Sequence, residues 1–313
     1  MPWPQDIPTT IATAVATVLC LVAMVAAVRR FRRVTGGRRS VVERVCILAA
    51  TLVCAAAFGY RAFYVQQSWA LLESHVDGLL ALGALLGCMI MYLQWSGRLA
   101  GVDLFAQPTL AVLLAWSICA SWWTFRPFSV ASLWNTVHLI SVYLVVAGIV
   151  VTAASGAMYL YIQRQLKRRD DPADSIRVLG RFASLETTER SLEHGALGSF
   201  ILLSIALVSG IVVTASQAYA SSWLFTPKIG LSIALWVVLG IVVHVRLVPA
   251  LRGRRAAWLS LLGLALLLAA LAIAASIPGC APAPSEPGIK TVDEPVGYEA
   301  EVRDPMWQVE NRR

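Results

Sequence analysis

Eight stretches of this chain, at residues 9–28, 45–65, 76–93, 104–122, 137–162, 196–216, 229–248 and 256–277, run for the length of a helix almost without charge. No layering of soluble elements absorbs so much uninterrupted apolar surface. About 20 residues at about 1.5 Å each cross a hydrocarbon core of about 30 Å, so each stretch is predicted to be a transmembrane helix. The composition agrees, with 58% of the 313 residues hydrophobic and 14% charged. The predicted fold is therefore all-α, a polytopic integral membrane protein of about eight helices. The first run is too long for a signal peptide and lacks its charged start and small-residue cleavage site, so it is read as a true helix.

A net charge of +8 would ordinarily point to nucleic acid, but its placement does not. Arg29, Arg30, Arg32, Arg33, Arg38, Arg39 and Arg44 follow the first run, and Arg98 follows the third. Arg164, Lys167, Arg168, Arg169, Arg177, Arg181 and Arg190 follow the fifth, and Arg246, Arg252, Arg254 and Arg255 follow the seventh. About 19 of the 26 basic residues thus fall on one face, which the positive-inside rule makes cytoplasmic. Both termini are then outside, in a cell (inner or plasma) membrane. The charge sets topology, and no nucleic-acid partner is expected.

The runs divide the chain into an N-terminal four-helix region, 1–136, a second membrane region, 137–277, and an external tail, 278–313, too polar to fold alone. Between the fifth and sixth runs, "RQLKRRDDPADSIRVLGRFASLETTERSLEHG" reads as a short interfacial helix plus linker. Six cysteines show no CxxC and no CxxCH, which excludes a c-type cytochrome or a thioredoxin-like protein. Five of them lie within runs, where a thiol packs as a small apolar group, and Cys280 alone faces the oxidising side. The absence of inverted repeats, buried charges and broken helices argues against a small-molecule transporter.

Four histidines are the candidate ligands, because ionisable groups at membrane depth are costly and usually have a task. His138 opens the fifth run at the outer face. His244 lies 16 residues beyond Lys228, about 24 Å deeper along a helix, towards the cytoplasm. The two are too far apart to share one iron, so two sites are expected if both bind metal. His75 at the outer face and His194 at the inner face are possible extra ligands, each also readable as a solvated interfacial histidine. Imidazoles in apolar surroundings without a carboxylate cluster suit haem better than a hard cation. The outer loop "WLFTPKIG" gathers Trp223 and Phe225 beside Lys228. It offers a shelf for a flat macrocycle, with Lys228 or Arg126 to meet its propionates.

From His138 onward the chain resembles the cytochrome c assembly family, which includes CcsA/ResC-type synthase subunits, CcmC and HemX-like proteins. The resemblance rests on "HLISVYLVVAGIVVTAASGAMYLYIQRQLKRR", on "SLETTERSL", on "TPK" placed fifteen residues before His244, and on "HVRLVPALRGRRAAWLSLLG". It implies that His138 is the outer haem ligand and His244 the intramembrane one. It also implies that Tyr219, Trp223, Phe225, Lys228, Trp236 and Arg126 serve the haem, and that haem b is carried or presented. The family's loop pattern W-G-x-x-W-x-W-D-P-K stands here as Tyr219-Ala220-Ser221-Ser222-Trp223-Leu224-Phe225-Thr226-Pro227-Lys228. One tryptophan remains, and Thr226 replaces the acid. Synthase members carry a further outer histidine after the last helix, where this chain has Cys280.

Two functions follow from the resemblance. One is a haem-handling membrane subunit for c-type cytochrome biogenesis, at most one part of a synthase (haem lyase) complex and with no catalytic residue of its own. Its partners would be a ResB/CcsB-like membrane protein, apocytochrome c, haem and the lipid bilayer. The other is a HemX-like regulator or scaffold of haem biosynthesis.

Overall fold

The computed structural model describes residues 7–32, 41–65, 75–96, 101–120, 133–168, 183–216, 227–244 and 253–276, and every element among them is helical. In chain order these are α1 (Ile7–Arg32), α2 (Val41–Tyr60, continuing into a π-helical turn at Arg61–Val65), α3 (His75–Ser96) and α4 (Val102–Ala120). They are followed by α5 (Leu133–Arg168), α6 (Leu185–Ser216), α7 (Pro227–His244) and α8 (Arg254–Ser276). Seven are long and apolar enough to cross a membrane, and α7 is a shorter apolar helix. The chain is a multi-pass membrane protein.

The helices close into two four-membered rings. In the first, α1 packs on α2 and α4, and α3 fills the place between α2 and α4. In the second, α5 packs on α6 and α8, and α7 completes the circuit between them. α5 joins the rings by lying against α3 and α4. Side chains such as Ile47, Leu80, Leu86, Leu114, Ile149 and Met158 are fully buried in these seams, while Val18, Leu52, Val112, Ile201, Val208 and Ile211 face outward. Apolar residues on both faces are what a helix needs when one side meets protein and the other meets lipid.

Lipid tails are as apolar as leucine, so helices in a membrane associate mainly through close packing, and small residues allow it. The longest seam, α5 on α6, is built this way. A Cβ on Gly148 would strike Ser199 Oγ, and one on Gly195 would lie 2.5 Å from Thr152 Oγ1. Ser155 Oγ meets Ser191 Oγ at 3.3 Å. These contacts set one antiparallel register along both helices. Gly156 packs likewise on α8 against Ser260 and the Ala257 carbonyl. Gly253, just before α8, has φ +70° and lies against Tyr159, so both its backbone and its surroundings exclude a side chain.

The helices extend past the expected boundaries in two places. α5 continues to Arg168 and α6 starts at Leu185, so the two ends of the connecting segment belong to the fifth and sixth helices, while 169–182, where a short interfacial helix is expected, lies outside the described residues. Ser184 explains the start. Its hydroxyl accepts the Thr187 N–H at 3.1 Å and its carbonyl accepts the Thr188 N–H at 3.0 Å, an N-cap. Leu192 and Ala196 then bury against Tyr159, Leu160, Val242 and Ala257. At the other place, α2 begins at Val41 and α4 at Val102, which draws Glu43 and Asp103 inside the helices.

Candidate functional site

His138 lies in the second turn of α5 and turns towards α6. Its Nδ1 lies 2.8 Å from the Ala206 carbonyl, and its ring packs where a Cβ on Gly210 would come within 3.0 Å of Cε1. A carbonyl oxygen only accepts, so Nδ1 carries a hydrogen, and Nε2 is the nitrogen left to ligate when the ring is neutral. That is the tautomer of a metal-ligating histidine whose second nitrogen is fixed by a neighbour. Gly210 leaves the imidazole room, and Ala206 aims it.

His244 is the last residue of α7 and is exposed. Its Nδ1 lies 2.7 Å from the Gly240 carbonyl one turn back, which again makes Nε2 the nitrogen left to ligate. Trp236, Gly240 and His244 recur at the four-residue spacing of one helix face. Trp236 stacks on Phe200 of α6 with ring centroids 5.2 Å apart, and its indole N–H donates to Ser204 Oγ at 2.9 Å. A Cβ on Gly240 would come within 3.3 Å of the Phe200 ring. These contacts lock α7 to α6 and bring His244 level with residue 196 of α6. His138 meets α6 at residues 206–210, so the two imidazoles are separated by about 18 Å along the helix axes. They belong to different levels, as their positions along the sequence imply. The same register puts Pro227 and Lys228, which open α7, at the depth of His138.

Of the remaining expected residues, the structure describes the side chains of His194 and Trp236. His194 is exposed, on the outward strip of α6 with Leu197, Ile201, Ile205 and Val208. Its Nδ1 meets the Arg190 carbonyl at 2.7 Å. It lies about 120° around α6 from Phe200, the residue that meets α7. His75 opens α3, a helix that meets α5 at Tyr143, about 140° around α5 from His138. Trp236 lines the α6–α7 seam, as above. Arg126, Tyr219, Trp223, Phe225 and Cys280 lie outside the described residues, as does the tail at 279–313, and only the backbone of Lys228 and His75 is described. Among the described residues no group of three or more His, Cys, Asp or Glu side chains is placed to hold a metal ion.

The expectation that the helices carry no buried charge is wrong. Glu43 is 0% exposed and Asp103 1%, and Arg30 Nη2 lies 3.4 Å from Glu43 Oε1 and 3.3 Å from Asp103 Oδ2. Gln94 and Gln107 complete this cluster at one end of the first ring. At the other end, Arg61 of the π-helical turn pairs with buried Asp77 of α3, beside Tyr143 of α5. Glu43 and Asp103 were missed because the apolar runs were taken to start at residues 45 and 104, just beyond them, while Asp77 stood inside the third run and Arg30 was counted only towards topology. The signal was Gln107 inside an otherwise apolar run and Gln94 at the edge of another, since a buried amide needs polar company.

Residues 75–277 match the Cytochrome C assembly protein family. The chain is similar to "Cytochrome c biogenesis protein CcsA" of Synechococcus sp. (strain RCC307), with 37% identity over 65 residues, 21% of each chain. It is also similar to "Cytochrome c biogenesis protein CcsA" of Prochlorococcus marinus (strain NATL1A), with 28% identity over 109 residues, 35% of this chain and 34% of that one. The matches thus span about a fifth and a third of those relatives' lengths. No solved structure matches the chain significantly.

Proposed function

The chain belongs to the cytochrome c assembly protein family, and on that premise we propose that it is a haem-handling membrane subunit of c-type cytochrome biogenesis. Haem is its cargo. The observation that carries this reading is the hydrogen bond from His138 Nδ1 to the Ala206 carbonyl, which presents Nε2 as a lone-pair donor at the outer depth where α7 begins. His244, level with the inner part of α6 and equally fixed at Nδ1, would hold haem at a second, deeper station. The donor set fits haem: single imidazoles at separate levels, with no carboxylate cluster beside them among the described residues. Covalent attachment joins haem to the thiols of the apocytochrome, so this subunit's contribution is position rather than acid–base chemistry.

His194 points along the lipid-facing strip of α6, whereas α7 packs on a different face of that helix. The second axial ligand at His244 is therefore assigned to a partner subunit of ResB/CcsB type, with apocytochrome c meeting the outer station. The test is the visible spectrum of the protein purified with and without that partner. Haem is expected in the complex, lost in His244→Ala and retained in His194→Ala. Absence of haem in both preparations, together with normal cytochrome c assembly in His244→Ala, would overturn the reading.

Two departures favour a second reading, a HemX-like regulator of haem biosynthesis. Thr226 replaces the loop's acid, and Cys280 stands where a histidine is expected. A regulator would alter tetrapyrrole levels when deleted while leaving c-type cytochromes loaded, and the same deletion strain separates the two.

A further inference from the structure

The inner end of the first ring is closed by an ionic cluster that the haem reading does not use. Arg30 sits near the end of α1, Glu43 and Asp103 lie in the first turns of α2 and α4, and Gln94 lies in the last turn of α3. Glu43 Oε1 and Asp103 Oδ2 face the same two donors. Arg30 Nη2 lies 3.4 and 3.3 Å from them, and Gln94 Nε2 lies 3.3 and 3.4 Å from them. Two carboxylate oxygens bridged by the same two nitrogens are close neighbours of like charge. Their contacts are long for charge-assisted hydrogen bonds, which run at about 2.7–2.9 Å.

The other halves of these groups carry the argument. Glu43 Oε2, Asp103 Oδ1 and Gln107 Oε1 are buried acceptors with no hydrogen-bond partner among the described residues. Gln107 is 1% exposed, and its Nε2 donates to Glu43 Oε1 at 3.5 Å, so its amide is aimed into the cluster. Buried acceptors without donors are costly, and two carboxylates pressed together do not both stay ionised when one can take a proton. One proton supplies a donor and removes one negative charge. Among the described residues, the groups facing the pair are Arg30 from α1, neutral Gln94 from α3 and neutral Gln107 from α4. The positive ends of α2 and α4 favour keeping one of the two carboxylates ionised opposite Arg30.

We infer that Glu43 and Asp103 form a proton-binding site, in which a single proton is shared between the two carboxyls and Arg30 is the counter-charge. The proton comes from a hydronium ion on the side where Arg30 reaches the surface, leaving water behind. It binds one carboxylate oxygen, and the site passes from one excess negative charge to neutrality. Release restores that charge in the seam where all four helices of the ring meet, so occupancy is coupled to how tightly that end closes.

The test is infrared spectroscopy of the full chain in lipid nanodiscs, read in the carbonyl region of protonated carboxylic acids and repeated in deuterium oxide. Wild type is expected to show one such band at neutral pH, which shifts in deuterium oxide and disappears on alkalinisation. The band should vanish in Glu43→Gln and also in Asp103→Asn, because a lone carboxyl opposite Arg30 stays ionised. It should grow in Arg30→Gln. A proton held by one residue for reasons of its own would be lost in only one of the two isosteric variants, and that result sinks the shared site. So does a wild type with no band, or a band that survives both changes. Should the variants not fold, wild type treated with an apolar carbodiimide gives the answer. An adduct on Glu43 or Asp103 supports the site, and unmodified residues refute it.

Discussion

An imidazole serves a metal well only when its other nitrogen is held, and at His138 the Ala206 carbonyl holds it. Gly210 is the residue that permits this. A Cβ there would sit 3.0 Å from Cε1 and 3.1 Å from Nδ1, closer than ordinary van der Waals contact. Gly210→Ala should tilt the ring, and Gly210→Val should push it off the carbonyl. Loss of such an orienting contact typically lowers metal affinity by roughly 10- to 100-fold. The expected outcome is that Gly210→Val loads c-type cytochromes as poorly as His138→Ala, with Gly210→Ala between it and wild type. Haem-stained gels of membranes measure this, and full cytochrome loading in Gly210→Val would separate His138 from haem. The histidines themselves were legible from sequence because a polar group in an apolar run stands out. Gly210 was not, because its value depends on which helix lies 3 Å away.

Between helices, the glycines do not all act alike. Gly148 and Gly156 of α5 meet α6 and α8 so closely that any side chain requires movement, and at Gly156 one obstacle is the Ala257 carbonyl, a backbone atom. Gly198 of α6 has nothing within 4 Å of the place a Cβ would take. Overpacking a tight seam costs about 1–3 kcal/mol. Gly156→Leu should therefore lower the thermal midpoint in detergent, while Gly198→Leu leaves it near wild type. Equal behaviour of the two would contradict the seam. The same scale explains the misread helix starts. Hydropathy ends a span at the first charge, but Glu43 lies inside because Arg30, Gln94 and Gln107 receive it from three other helices, and Asp103 because Arg30 and Gln94 receive it from two. Such reception is a tertiary property, and no window along one chain contains it.

At the scale of the molecule, α5 of the second ring lies against the first, and the arginines assign the ends of both. The positive-inside rule predicts the arginine-bearing ends of α1 and α5 inside and, with them, both termini outside. A single cysteine placed at Thr35 in a cysteine-free background should react with an impermeant thiol reagent only after the membrane is opened. One placed at Glu301 should react in intact cells. The reverse pattern would invert the map and exchange the inner and outer stations assigned to His244 and His138. The ionic cluster is then an inner feature, and the Arg61–Asp77 pair closes the outer end of the same ring.

What the amino-acid order determined alone was whatever the bilayer imposes locally. Backbone groups in hydrocarbon must bond within their own segment, so apolar runs become helices, and charge asymmetry orients them. The number of runs, the candidate ligands and their separation in depth are all linear properties, read from spacing at 1.5 Å per residue. The tertiary structure alone decided rotation about each helix axis. It turned His138 towards Ala206, turned His194 away from α7, and brought Arg30, Glu43 and Asp103 together from three helices. The physical reason is that in lipid every face of a helix is apolar enough to be buried or exposed. Only close packing at particular small residues selects which face meets a neighbour.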